Sequence, residues 1–155
     1  MDTIDALLLG RVTYKMFSGF WPNVTDGAEK EFADKFNSVS KIVFSKTLER
    51  APWGKWNAGR IVSGGAVEEV VKLKHQPGKD LLISGSITLA QALIDESLVD
   101  EYRLVLCPVV LGSGRPLFPN NPSLHPIELM NATALDRGAV SLIYRQARVN
   151  GRGHR

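Results

Sequence analysis

Three short segments of this 155-residue chain carry the residue types that hold phosphate: Gly10-Arg11-Val12-Thr13, Ser45-Lys46-Thr47 and Gly85-Ser86-Ile87-Thr88-Leu89. The last is the richest. Asp80 to Ile83 is a short apolar run that breaks at Ser84-Gly85-Ser86 and restarts with helical spacing, Ile87, Ala90 and Ile94 falling on one stripe beside Leu89 and Leu93. A strand feeding a helix leaves unsatisfied N–H groups and the positive end of the helix dipole pointing outward, and Ser86 or Thr88 can cap them. Such an end attracts anions, and Gly85, lacking a side chain, lets a phosphate approach the backbone. The same pattern also serves an ordinary strand-to-helix turn. Arg11 and Lys46 add positive charge suited to a phosphate, and equally suit a solvated surface. Together the segments offer two helix starts, two cations and several hydroxyls, enough for a pyrophosphate and one further phosphate.

The elements that would position these segments alternate along the first two thirds of the chain. Ile4 to Leu9 is an apolar run ended by Gly10, followed by helical spacing at Val12, Met16 and Phe20 up to Trp21-Pro22. Asp26 and Glu29 have capping-box spacing and are expected to open a helix with Ala28, Phe32, Phe36 and Val39 on its stripe. Ile42-Val43-Phe44 is a short strand running into Ser45, and Ala51 to Gly59 is a Pro/Gly/Trp loop in which Trp53 and Trp56, like Trp21 before it, serve as anchors. Ile61-Val62 precedes a helix with Ala66, Val67, Val70, Val71 and Lys74 on one side, stopped by Gln76-Pro77-Gly78, with His75 at its end. The last third is β-rich: Tyr102 to Leu111 with Pro108 marking a bulge or edge, the turn Gly112-Ser113-Gly114, and two segments, Ile127 to Leu135 and Val140 to Tyr144, about the turn Asp136-Arg137-Gly138. The expected fold is α/β, a mainly parallel sheet with helices on both faces and an antiparallel C-terminal hairpin. In an open parallel sheet the carboxyl ends of the strands line one edge, so all three segments would converge there.

Composition excludes several classes. The net charge of +3 resides in Arg145, Arg148, Arg152 and Arg155, which follow Tyr144 without an intervening acid and leave 15 of the 19 basic residues against 16 acids elsewhere. A nearly neutral body with a basic end, residues 149–155, reads as one domain over residues 1–148 with a solvated, disordered tail, and not as a nucleic-acid partner, since no aromatic residue is interleaved for base stacking. No apolar run approaches the length of a membrane span and no signal-peptide pattern opens the chain, so no membrane partner and a cytoplasmic location are expected. The single cysteine, Cys107, excludes an internal disulfide and is expected as a buried, inert thiol. His75, His125 and His154 are far apart and lack cysteine pairs, so no metal site is expected. Gly-x-Ser-x-Gly and Walker-type loops are lacking, which argues against hydrolases and nucleoside triphosphatases. Gly112 and Gly114 serve a turn and are assigned no chemistry.

The ordered set Leu7-Leu8-Leu9-Gly10-Arg11-Val12-Thr13-Tyr14, Ser45-Lys46-Thr47, Ile83-Ser84-Gly85-Ser86-Ile87-Thr88-Leu89, Leu98-Val99-Asp100-Glu101-Tyr102 and Pro108 to Phe118 resembles the dihydrofolate reductase-like family. It is most similar to the branch containing the reductase domain of the riboflavin-pathway deaminase-reductase. The resemblance implies a three-layer fold and an NADPH-dependent reductase moving a hydride to a small heterocyclic, pyrimidine- or pteridine-like substrate. It implies that Gly85, Ser86, Ile87, Thr88 and Leu89 hold the pyrophosphate, that Gly10, Arg11 and Thr13 contact the adenosine side, and that Ser45, Lys46 and Thr47 receive the ribose 2′-phosphate. No catalytic acid is named, and the deaminase elements cannot be drawn from one cysteine. Members of this family usually carry a further central strand upstream of the segment matching Asp5 to Gly10. Its absence here predicts an open sheet edge and, through it, a homodimer or a truncated product. The alternative is a non-catalytic nucleotide-binding or regulatory protein that has lost substrate turnover with that strand.

Overall fold

The computed structural model describes residues 3–118 and 126–147. The chain divides after Leu93 into two compact units. In the first, β1 (Ile4–Gly10), α1 (Arg11–Phe20), a 3-10 turn (Trp21–Asn23), α2 (Lys30–Ser38), β2 (Ser40–Phe44), β3 (Arg60–Val62), α3 (Ala66–Lys74) and β4 (Asp80–Ile83) lead into α4 (Ile87–Asp95), within which the boundary falls. The strands form a parallel sheet in the order β3-β2-β1-β4. β1 runs down its middle, and Leu7, Leu8 and Leu9 are all at most 1% exposed. Burial of consecutive residues requires cover on both faces, the situation of an interior parallel strand, and explains why this stretch is apolar without alternation.

Against one face lie α1 and α2. Ile4, Leu7, Leu9, Tyr14, Phe36, Val39, Val43, Ala51 and Trp53 form the core there. Several polar groups around it are paired, whereas Trp21 Nε1, against the same core, is buried without a hydrogen-bond partner among the described residues. The Asn37 side chain donates to the Trp21 carbonyl at 3.1 Å and accepts from Trp53 Nε1 at 2.7 Å, while the Tyr14 hydroxyl donates to the Pro52 carbonyl at 2.7 Å. The tryptophans therefore act as the expected anchors, Trp53 tying the loop between β2 and β3 to the helix layer.

Three local expectations are corrected. α2 begins at Lys30 and not at the Asp26/Glu29 spacing, because Gly27 takes a left-handed φ of 82° that a helix cannot contain, and Glu29 makes no side-chain cap. Its stripe is accordingly shorter: Ala28 and Phe32 are exposed, while Ala33, Phe36 and Asn37 are buried. In α1 the Val12, Met16 and Phe20 spacing faces outward, and Tyr14 and Phe17 supply the inner face.

The second unit holds β5 (Glu101–Leu106), β6 (Ile127–Ala134) and β7 (Val140–Gln146), an antiparallel sheet in the order β5-β7-β6. The expected hairpin is β6-β7, turned through Arg137 and Gly138 at φ 59° and 78°. β5 stops at Leu106, shorter than the run to Leu111, because Pro108 cannot donate to a ladder. Glu101 lies opposite Arg145, whose Nε is 3.0 Å from its carboxylate, with Arg103 at 2.6 Å on the other oxygen, and these hydrogen bonds hold the Glu101 carboxyl below its ordinary range. Cys107, beyond the strand end, is exposed and not buried as its apolar neighbours suggested. His75 caps α3 as expected, whereas His125, His154 and the tail over residues 149–155 lie outside the described residues. Among the described residues no cluster of metal-ligating side chains forms, and no helix is long and apolar enough to cross a membrane.

Candidate functional site at the carboxyl ends of the parallel strands

Register places the sequence-predicted segments on one edge. Gly10 at the end of β1 pairs with Phe44 at the end of β2, Phe44 pairs with Val62, and Leu8 pairs with Ile83, so the exits of β2, β1 and β4 leave the sheet side by side. From β1 the chain proceeds to β2 and β3 on one flank and returns to β4 on the other, which makes the crevice between the β1 and β4 exits a topological switch point. Ligands of open α/β sheets bind at that position.

At the switch point the two exits interlock. The Gly10 N–H donates to Ser86 Oγ at 2.9 Å, and the Ser86 N–H donates to Thr13 Oγ1 at 3.1 Å. Gly85 and Ser86 both take left-handed backbone, φ 65° and 55°, turning the chain from β4 into α4, where the Ser86 carbonyl accepts the Ala90 N–H at 2.9 Å. Gly85 is exposed, and its left-handed φ of 65° is one that a side chain would strain, so glycine suits this turn beside Thr13. Gly10 precedes α1 without a side-chain cap, and the first turn of that helix holds no acid, so no carboxylate there offsets its positive end, to which the exposed Arg11 adds further positive charge.

One strand over, Ser45 is buried and internally engaged. Its N–H donates to the Val62 carbonyl at 3.0 Å, and its Oγ accepts the amides of Thr47 and Leu48 at 3.2 and 3.1 Å. It shapes the turn that leaves Lys46 and Thr47 exposed. Of the remaining predicted residues, Thr88 is exposed, Ile87 is half-buried, and Leu89 is 6% exposed with its side chain committed to the interior. The structure thus joins Gly10, Thr13, Gly85 and Ser86 directly, sets Arg11 beside them, and places Ser45, Lys46 and Thr47 at the neighbouring exit.

Two features were missed by sequence reasoning. The hydroxyls of Thr13 and Ser86 serve each other's strand exit, a long-range pairing with no local signal. Lys41 is 3% exposed, its ammonium donating to the Asn37 carbonyl at 2.6 Å and lying 5.0 Å from the Trp53 ring centre; burial pulls its pKa down to about 8. Its position against Ile42-Val43 in a buried strand was the available clue. A cavity of about 600 Å³ opens at the amino-terminal end of the same sheet, lined in part by Asp5, Lys41, Arg60, Glu69 and Gly78. It contains none of the sequence-predicted residues, and its charges include the Arg60–Glu69 pair at 2.7 Å.

Comparison with known proteins agrees with the fold. Residues 1–141 match the RibD C-terminal domain. The uncharacterized protein YyaP of Bacillus subtilis (strain 168) is 34% identical over 145 residues, 93% of this chain and 75% of YyaP. YwjB of the same organism is 37% identical over 126 residues, 76% of this chain and 60% of YwjB. Among solved structures, a protein assigned to riboflavin biosynthesis from Shewanella sp. PV-4 superimposes with a TM-score of 0.73 at 25% identity, covering 95% of this chain and 76% of that one. RibD from Acinetobacter baumannii shares the fold, with a TM-score of 0.66 at 16% identity over 92% of this chain and 47% of its own. The chain belongs to the RibD C-terminal domain family, a reductase-type family of riboflavin biosynthesis.

Proposed function

We propose that the chain binds NADPH at the switch point and reduces a small pyrimidine- or pteridine-like heterocycle by hydride transfer in the cytoplasm. The observation that carries this reading is the interlocked pair of strand exits, Gly10 to Thr13 against Gly85-Ser86, with Lys46 exposed at the adjacent exit. The residues fit a dinucleotide. Gly85 leaves the backbone accessible, the α1 and α4 starts favour a pyrophosphate, and Arg11 supplies a charge beside it. In this reading Gly85, Ser86, Ile87, Thr88 and Leu89 surround the pyrophosphate, Leu89 through its backbone alone, and Gly10, Arg11 and Thr13 hold the adenosine side. Ser45 holds the turn, and Lys46 and Thr47 receive the 2′-phosphate. When bound, the nicotinamide supplies the hydride. The protein contributes orientation, charge and exclusion of water.

The test is calorimetry of NADPH and NADH on the wild type and on Lys46→Ala. A hydrogen bond to a charged group contributes roughly 1.5 to 3 kcal/mol. At about 1.4 kcal/mol per tenfold, the substitution is expected to weaken NADPH by on the order of ten- to a hundredfold and to leave NADH almost unchanged, with Arg11 softening the loss. Equal weakening of both would assign Lys46 to the fold or the pyrophosphate. Tight NADPH binding without substrate-dependent oxidation would support a nucleotide-binding protein over a reductase.

A further inference from the structure

We infer that Thr13 and Ser86 are positioning residues that form one reciprocal hydroxyl–amide lock, fixing the β1 and β4 exits as a single rigid cradle; this rests on the reading of the switch point as a dinucleotide site. The residues are 73 positions apart, yet each hydroxyl oxygen accepts an amide of the opposite exit: Ser86 Oγ from Gly10 at 2.9 Å, and Thr13 Oγ1 from Ser86 at 3.1 Å. Both bonds converge on Ser86, which donates from its backbone and accepts on its side chain.

The backbone at that residue requires such restraint. Ser86 is a non-glycine held at φ 55°, a left-handed conformation that L-residues rarely adopt. It follows Gly85, also left-handed, so two consecutive residues hold an unusual path with no regular element to impose it. A strained segment persists where surrounding contacts over-determine it, and the contacts here are the two lock bonds and the Ser86 carbonyl that starts α4. The amides of Gly10 and Ser86 are spent on the lock and do not face a ligand. Losing either hydroxyl would release the shared residue, leave a half-buried amide without its acceptor, and let both exits drift.

Coupling distinguishes this arrangement from two independent ligand contacts. NADPH dissociation constants are measured for wild type, Thr13→Val, Ser86→Ala and the double variant, with Thr13→Ser as the variant that keeps the hydroxyl. Each single substitution is expected to weaken binding about tenfold, the scale of one lost hydrogen bond. The double variant is expected to fall no further, and Thr13→Ser to restore wild-type affinity, because one broken arm already frees the cradle. A double variant weakened by the product of the single effects, or unchanged affinity in Thr13→Val, would overturn the lock.

Hydrogen exchange of the Gly10 and Ser86 amides reads the lock without a ligand. Slow exchange of both in the wild type, and faster exchange of Gly10 in Thr13→Val although that variant leaves the Ser86 hydroxyl in place, is the expected signature. Wild type that binds no NADPH but shows this exchange pattern would overturn the dinucleotide reading and leave the lock standing. Fast exchange of both amides in the wild type would overturn the lock.

Discussion

Lys41 shows how a single buried charge sets a pH dependence that the rest of the sheet does not share. Its ammonium is 2.6 Å from the Asn37 carbonyl and faces Trp53, both neutral, so nothing of opposite charge repays its desolvation. Its pKa therefore falls from 10.5 to about 8 in the folded chain. The sign follows from proton binding. Between about pH 8 and the ordinary lysine value the unfolded chain holds a proton that the folded chain has released, so stability rises with pH across that window. Tyr14, whose burial raises its pKa above 10.0, opposes this only at higher pH. The expected outcome is a thermal midpoint that climbs from about pH 8 to pH 10 in the wild type relative to Lys41→Met, in which the group that titrates is gone. Parallel profiles for the two proteins would show that Lys41 stays charged through the range. Ser45 teaches the complementary lesson at the same scale: a hydroxyl placed by sequence among phosphate ligands also accepts two backbone amides and so shapes the turn under Lys46.

Among the elements, α1 was the least legible, because its sequence is apolar on more than one face. Val12, Met16 and Phe20 make one helical stripe, and Tyr14, Phe17 and the following Trp21 make another, so periodicity alone selects neither. The choice is made in three dimensions: Phe17 stacks on Phe36 at 5.8 Å and meets Trp21 edge-on at 5.9 Å, whereas Val12 and Met16 are 64% and 66% exposed. Phe17→Ala is therefore expected to cost about 3 kcal/mol, and Met16→Glu to stay within about 0.5 kcal/mol, both read by urea denaturation. A loss from Met16→Glu as large as that from Phe17→Ala would place the stripe in the core. Strands β1, β2 and β4 were legible for the converse reason, since short apolar runs ending in Gly or Ser admit few alternatives. The start of α2 was not, because Gly27 and its left-handed turn override the spacing of Asp26 and Glu29. At the site, the convergence of three strand exits followed from the α/β alternation, while the pairing of Thr13 with Ser86 depends on which strands are neighbours, information that no local pattern contains.

At the scale of the molecule, the alternation of strand and helix signals announced the parallel sheet, and the β-rich last third forms the antiparallel sheet that contains the expected C-terminal hairpin, with β5 at one end of it. β4 ends the parallel sheet, yet Leu81-Leu82-Ile83 has the composition of an interior strand, with no proline, no charge and every residue half-buried. Edge strands in stable proteins are ordinarily blunted by charge, proline or a bulge, because an open row of N–H and C=O groups recruits another strand. Within β4 only Asp80, at its start, is charged and exposed, which blunts one end of the strand, while Leu81, Leu82 and Ile83 are half-buried and apolar. A second copy pairing along this edge would extend the sheet through an isologous contact without new side-chain chemistry. Sedimentation velocity across the micromolar range is accordingly expected to show a concentration-dependent dimer, and hydrogen exchange at Leu81, Leu82 and Ile83 to slow as the dimer forms. A species that remains monomeric at every concentration, with ordinary thermal stability and with exchange at these amides independent of concentration, would show that β4 tolerates its open edge and that the homodimer expectation is wrong.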